Sequence, residues 1–231
     1  MYEIKYFNIW NKSDFYYFLV VVFNWFDCIM KILVVAALPN ELKAIKEWIK
    51  SVGLKANLDI DYLCCGIWNY ETISSLEHYL TENNESIFIW NIWICGYWNL
   101  SNEEKVEPVQ VANVVNVHNW KEMIIPPFLQ LASFKTCFSS ENVILNTERF
   151  QKESWTIDNE MYFDMESRGI EFIASKYKYP CLILKVPFDF IWKNDWVNKW
   201  NYKENLWKIS ALLISLPYYD YLDRILKWMN Q

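Results

Sequence analysis

The chain has 231 residues, 53% of them hydrophobic and 22% charged, with a formal net charge of −6. That is enough apolar sequence for one well-buried domain. No basic run is present to neutralise phosphates, which argues against a nucleic-acid partner and leaves a small molecule as the expected one.

Residues 15–26 are strongly apolar but too short to span a bilayer, broken by Asn24 and Asp27, and without a small-residue cleavage site, so no membrane association is expected. Met30-Lys31 directly precedes a clean apolar run, which makes Met30 a candidate start. Residues 1–29 then read either as upstream or disordered sequence or as an amphipathic extension, and residues 30–231 as a single domain.

From Met30 onward, apolar runs of strand length alternate with segments of helical period, the pattern of a layered α/β fold. Lys31 to Ala37 is a predicted buried strand, and Pro39 opens a helix carrying Leu42, Ile45, Ile49 and Val52 on one face. Tyr62 to Ile67 is a second strand, Thr72 to Leu80 a helix with Ile73, Leu76 and Leu80 inward, and Ile87 to Cys95 a third strand. Val109 to Val117 is β-branched and alternating, so one face is expected to pack and the other to be more polar. A short strand around Lys135 to Phe138 follows Pro126-Pro127. Met165, Gly169, Ile170, Ile173 and Tyr177 mark a helix leading into the strand Cys181 to Val186. A polar loop from Phe190 to Asn201 and a helix from Lys203, interrupted at Pro217, close the chain.

Six cysteines, Cys28, Cys64, Cys65, Cys95, Cys137 and Cys181, form no Cys-x-x-Cys pair, and only His78 and His118 accompany them. No metal-ligand spacing emerges, so no metal is expected, and the thiols read as reduced and buried in a cytoplasmic protein.

Tryptophan and glycine are out of proportion: 14 Trp stand against 4 Gly, where ordinary usage gives about 16 Gly. Several Trp fall in predicted turns, as in Cys65-Gly66-Ile67-Trp68-Asn69, Cys95-Gly96-Tyr97-Trp98-Asn99 and Val117-His118-Asn119-Trp120-Lys121. Turns are where glycine's backbone freedom is wanted. One reading is that UGA codons meaning glycine have been written as tryptophan. The other is a Trp-rich protein of an AT-rich genome, since Asn, Lys, Ile and Tyr are also abundant.

Two segments at opposite ends of the domain resemble the nucleoside phosphorylase and nucleosidase superfamily, closest to its methylthioadenosine/S-adenosylhomocysteine nucleosidase or futalosine hydrolase branch. Met30-Lys-Ile-Leu-Val-Val-Ala-Ala-Leu-Pro-Asn-Glu41 is similar to that family's opening strand and turn. Phe163-Asp-Met-Glu-Ser-Arg-Gly-Ile170, followed by Cys181-Leu-Ile-Leu-Lys-Val-Pro-Phe-Asp189, is similar to its ribose-binding helix and catalytic strand. Between them, Cys65-Gly66-Ile67-Trp68-Asn69 and Asn91-Ile92-Trp93-Ile94-Cys95-Gly96 resemble glycine-bearing motifs, with Trp68 and Trp93 at family glycines.

The resemblance implies a three-layer α/β/α sandwich around a mixed, twisted central sheet, no cofactor, a homodimer, and cleavage of the N-glycosidic bond of a purine-type nucleoside. Such cleavage needs a proton for the leaving base and a nucleophile for a sugar that becomes oxocarbenium-like. By resemblance, Asp189 is the general acid and Glu41 orients and deprotonates water. Glu166 accepts the ribose hydroxyls over Met165, Val143 and Ile144 meet the base, and Cys95 and Gly96 line the strand end. Taken alone, Glu41 and Glu166 equally suit helix starts, and Asp189 suits a turn cap. Val143 replaces the family's usual aromatic, and Lys185 and Phe188 replace its usual Arg and Ser. His118 reads as a packed or solvated residue. A phosphorylase is the alternative enzyme, but Arg149, Arg168 and Arg224 avoid the loops where those relatives hold phosphate. A non-catalytic nucleoside binder is the third reading. Trp192, Trp196 and Trp200 form either a stacking patch or, as glycines, a mobile loop.

The codons decide between the two accounts of tryptophan. UGA at most of the 14 positions is the expected result under recoding, and UGG at most of them overturns it.

Overall fold

The structure, a computed structural model, describes residues 31–51, 59–83, 85–102, 107–126, 130–144 and 160–191. The expectations for residues 1–29, for Val52, for the loop carrying Trp192, Trp196 and Trp200, and for the helix from Lys203 lie outside the described residues.

In chain order the strands are β1 (Lys31–Ala36), β2 (Ile60–Cys64), β3 (Ile87–Asn99), β4 (Val109–Asn116), β5 (Glu122–Ile124), β6 (Ser133–Ser139), β7 (Glu160–Asp164) and β8 (Cys181–Phe190). The helices, here α1 (Pro39–Ser51), α2 (Asn69–Glu82) and α3 (Ser167–Tyr177), follow β1, β2 and β7. All eight strands belong to one mixed sheet of order β2-β1-β3-β7-β6-β4-β5, and β8 bridges β3 and β4. The pairings β3 to β8, β8 to β4, β4 to β6, β6 to β7 and β7 to β3 close a ring, while β2 and β1 extend from it as a parallel wing.

Alternation along β1, β3 and β8 sorts the core into two layers. Ile32, Val34, Phe88, Trp90, Leu182 and Leu184 pack with Leu42, Ile45 and Ile49 of α1. Leu33, Val35, Ile89 and Ile183 pack on the other face with Leu76 and Leu80 of α2 and Ile170 and Ile173 of α3. Strands covered on both faces read as continuous apolar runs, which is why these three were visible in sequence. The result is the α/β/α sandwich about a mixed sheet that the sequence implied.

Several local expectations need correction. The second strand is Ile60–Cys64 and ends before the expected Ile67, because Gly66 takes a left-handed φ of +84° and turns the chain. Tyr97, Trp98 and Asn99 are not a turn; they continue β3, where they pair with β7. β8 likewise runs past Val186 to Phe190. β4 lacks the expected exposed polar face: only Ala112 and Asn113 are partly exposed, because Val111 and Val114 pack in the layer of Ile170 and Ile173 while Val115 packs with Trp98 and Phe138 and Val109 with Tyr97. Cys64 is exposed, unlike Cys65, Cys95, Cys137 and Cys181, although all five are free thiols.

Among the tryptophans, Trp120 has a φ of 56°, a conformation bulky residues rarely adopt. Trp68 is extended at φ −112°, and Trp93 and Trp98 are buried strand residues. Only Trp120 among these has a backbone that itself favours glycine.

Candidate active site

The site forms where the ends of β1, β7 and β8 meet the starts of α1 and α3. Pro39 sits in the first turn of α1, where its missing N–H costs nothing, and places Glu41 one residue beyond Asn40. Glu41 Oε2 accepts the backbone N–H of Leu38 at 2.9 Å, the reciprocal half of a capping box. The helix-start role expected of this residue taken alone is thus observed. Glu41 is only 4% exposed. Burial, and then the charge of Glu166, push it up to about 8, against the opposing pull of Leu38 N–H and Lys185.

β7 delivers Asp164, Met165 and Glu166 to the same place. Asp164 accepts the Ser167 N–H at 3.1 Å and also takes the Ser167 hydroxyl. Met165 is half-buried. Glu166 is the N-cap residue of α3, yet its side chain makes no capping bond. Burial pushes its carboxyl up to about 7, with Lys185 pulling it down and Asp164 adding to the rise.

Lys185 joins these acids. Its side chain is fully buried on β8, with Nζ 2.8 Å from Asp164 Oδ2 and 3.6 Å from Glu166 Oε2. Burial works to discharge the ammonium, but Asp164 and Glu166 outweigh it and hold Lys185 charged. Three buried carboxyl groups around one ammonium leave an excess of negative charge. The raised Glu41 and Glu166 are the groups that relieve it by holding protons near neutrality.

Asp189 arrives through an irregularity in β8. Cys95 pairs with Pro187 and Gly96 with Asp189, so Phe188 is an extra residue that re-aims the strand. Proline is tolerated at such a break because a ladder bond is already lost. Gly96 has Asp189 on one side and Phe163 on the other. The buried Cys95 thiol feels Lys185, Asp164, Asp189 and Glu166 together, so these charges converge around the middle of β3. Burial raises the Cys95 thiol and raises Cys65 to about 12, which leaves neither as a nucleophile near neutral pH.

Of the expected site residues, Glu41, Glu166 and Cys95 thus gather around Lys185, with Asp189 at the edge of the cluster and Gly96 beside it. Val143 and Ile144 lie beyond the end of β6: Val143 is exposed, and Ile144 packs against the cluster of Trp98, Phe138 and Phe163. His118 is exposed in the turn after β4. Sequence reasoning passed over Asp164, although a carboxylate two residues before Glu166 at a strand end was the available signal. It also passed over Asn69 and Ser139, which only the fold brings beside α3. Among the described residues no group of three or more His, Cys, Asp and Glu could hold a metal ion. Among them, too, no helix is long and apolar enough to cross a membrane.

Comparison with solved structures returns this fold. A 5'-methylthioadenosine nucleosidase of Arabidopsis thaliana in apo form is similar at a TM-score of 0.62 and 15% identity, covering 88% of this chain and 97% of that one. A 5'-methylthioadenosine/S-adenosylhomocysteine nucleosidase of Helicobacter pylori with butyl-thio-DADMe-Immucillin-A gives a TM-score of 0.64 at 11% identity, covering 86% and 98%. A futalosine hydrolase mutant of Helicobacter pylori gives 0.54 at 9%, covering 82% and 99%. The sequence itself matches no protein-family model and no curated protein.

The raised carboxyl groups carry a stability signature. Folded Glu41 keeps a proton up to about pH 8, whereas its ordinary value is 4.5. Its contribution is therefore fully present below about pH 4.5 and is lost as pH rises through about 8. Glu41→Gln, which cannot ionise, is expected to match the parent in thermal melting near pH 4.5 and to exceed it by several degrees at pH 9. A difference that does not grow with pH contradicts the burial.

Proposed function

We propose that this chain hydrolyses the N-glycosidic bond of a purine-type nucleoside, such as methylthioadenosine, adenosylhomocysteine or futalosine, and releases the free base. The observation that carries the reading is the electrostatic coupling of Glu41 and Glu166, from opposite ends of the domain, in one buried cluster with Lys185. The relatives of matching fold, at full length, include nucleosidases of these kinds, which supports the same class of substrate.

In this reading Glu41 takes a proton from water. A carboxyl raised to about 8 suits a base working near neutrality, because it both ionises and holds the proton within that range. Asp189 supplies the proton to the purine as the bond to the sugar breaks, from the strand end where α/β folds place ligands. Glu166 accepts the ribose hydroxyls, with Met165 beneath the sugar. Lys185 keeps Glu166 from being discharged entirely in a buried setting. Val143 and Ile144 approach the base, and Cys95 and Gly96 form the floor beside Asp189.

Hydrolysis is favoured over phosphorolysis because a phosphate dianion calls for guanidinium forks. Arg168, the one arginine among the described residues, lies in α3 rather than in the loops after β1 or β3. A homodimer and a cytoplasmic location belong to the same proposal and rest on the resemblance alone.

Assay of a nucleoside panel without phosphate is expected to show free base and free sugar, and a strict phosphate requirement contradicts hydrolysis. Asp189→Asn is expected to cost at least about 100-fold in kcat while binding persists. Absence of turnover in the parent assigns the chain to nucleoside binding instead.

A further inference from the structure

The first backbone N–H groups of a helix have no partner within it, and a polar side chain at the N-cap position can accept one. Glu166 occupies that position in α3 and does not do so. The N–H groups are taken by side chains from elsewhere. Ser167 N donates to Asp164 at 3.1 Å, Arg168 N to Ser139 Oγ at 3.3 Å, and Gly169 N to Asn69 Oδ1 at 2.9 Å. Ile170 N then makes the first bond inside the helix, to Glu166 O.

Asn69 is the centre of this arrangement. It begins α2, is 1% exposed, and its Oδ1 also accepts the Ser139 hydroxyl at 3.2 Å. Its Nδ2 donates to Ser140 O at 3.4 Å, tying in the segment that leads from β6 toward Val143. Ser139 in turn spends its proton on Asn69 and its lone pair on Arg168 N. The approach requires Gly169, since a Cβ there would lie 2.7 Å from the Asn69 carbonyl oxygen and 2.9 Å from Thr72 Cβ.

We infer that Asn69, assisted by Ser139, is a positioning residue for the ribose-binding carboxylate: by capping α3 in place of Glu166, it leaves Glu166 free to face Lys185 and the sugar. The inference rests on the nucleosidase reading above. Without Asn69 the buried Gly169 N–H lacks an acceptor, and the Glu166 carboxylate is at the N-cap position from which such a group is reached. Glu166 then turns inward and releases the sugar.

The test compares kcat/KM for a ribonucleoside and its 2′-deoxy analogue, because only the former offers Glu166 the full diol. Asn69→Leu is expected to lower kcat/KM for the ribonucleoside by about 10- to 100-fold and to leave the deoxy analogue within about 3-fold, so that discrimination collapses. Asn69→Asp, which retains an acceptor for Gly169 and Ser139, is expected to keep most of the discrimination. Should Asn69→Leu fail to fold, Ser139→Ala carries the test and is expected to lose part of the discrimination. Equal losses on both substrates, or unchanged discrimination in either variant, overturn the positioning role. Discrimination lost in Glu166→Ala but intact in Asn69→Leu overturns it while leaving the nucleosidase reading in place. A parent that hydrolyses neither substrate overturns both.

Discussion

The contact between the Lys185 ammonium and the carboxylates of Asp164 and Glu166 is the interaction on which the site depends. A fully buried ammonium is costly unless paired, and breaking such a pair leaves an uncompensated charge in the interior. Here the pairing also reaches across the fold. It joins the end of β7, the start of α3 and the middle of β8, and its field extends to Glu41 at the start of α1. One cation thus acts on carboxyl groups from two separate chain segments, Glu41 in one and Glu166 in the other.

The surroundings of this cluster give its acids different partners. Each sits at a helix start or strand end, where carboxylates ordinarily satisfy backbone N–H groups. Glu41 does this with one oxygen, toward Leu38. Asp164 does it fully, for Ser167. Glu166 makes no capping bond to α3, whose N–H groups at Arg168 and Gly169 go to Ser139 and Asn69. The extra residue in β8 bends the strand just before Asp189, which pairs with Gly96. Acids in similar local sequence settings therefore have different neighbours, which the tertiary fold supplies.

The fold was legible in sequence wherever a strand is covered on both faces, as in β1, the first part of β3 and β8, or where a helix has one apolar stripe, as in α1. It was not legible where pairing rather than composition makes the strand. Glu160–Asp164 and Glu122–Ile124 are too short to show a period, and Tyr97 to Asn99 looks like a turn until β7 pairs with it. The acids Glu41, Glu166 and Asp189 stand out only through resemblance, since each alone is an ordinary cap residue. Lys185 stood out only as a departure from an expected arginine, and its partner Asp164 is recognisable only once β7 and β8 are placed together. Asn69 and Ser139 lie 70 positions apart, beyond the reach of any local pattern. The tryptophan excess translates into backbone geometry at Trp120, where φ is 56°.

The central claim is that burial, joined by the charge of Glu166 at Glu41 and of Asp164 at Glu166, holds Glu41 and Glu166 protonated into the neutral range, with Lys185 limiting the rise. The most direct measurement is a carbon-13 NMR titration of the protein labelled at its glutamate carboxyl carbons. Two glutamates titrating between about pH 7 and 8, and assigned to Glu166 and Glu41 by substitution, are the predicted result. Titration of both near the ordinary value of 4.5 contradicts the account.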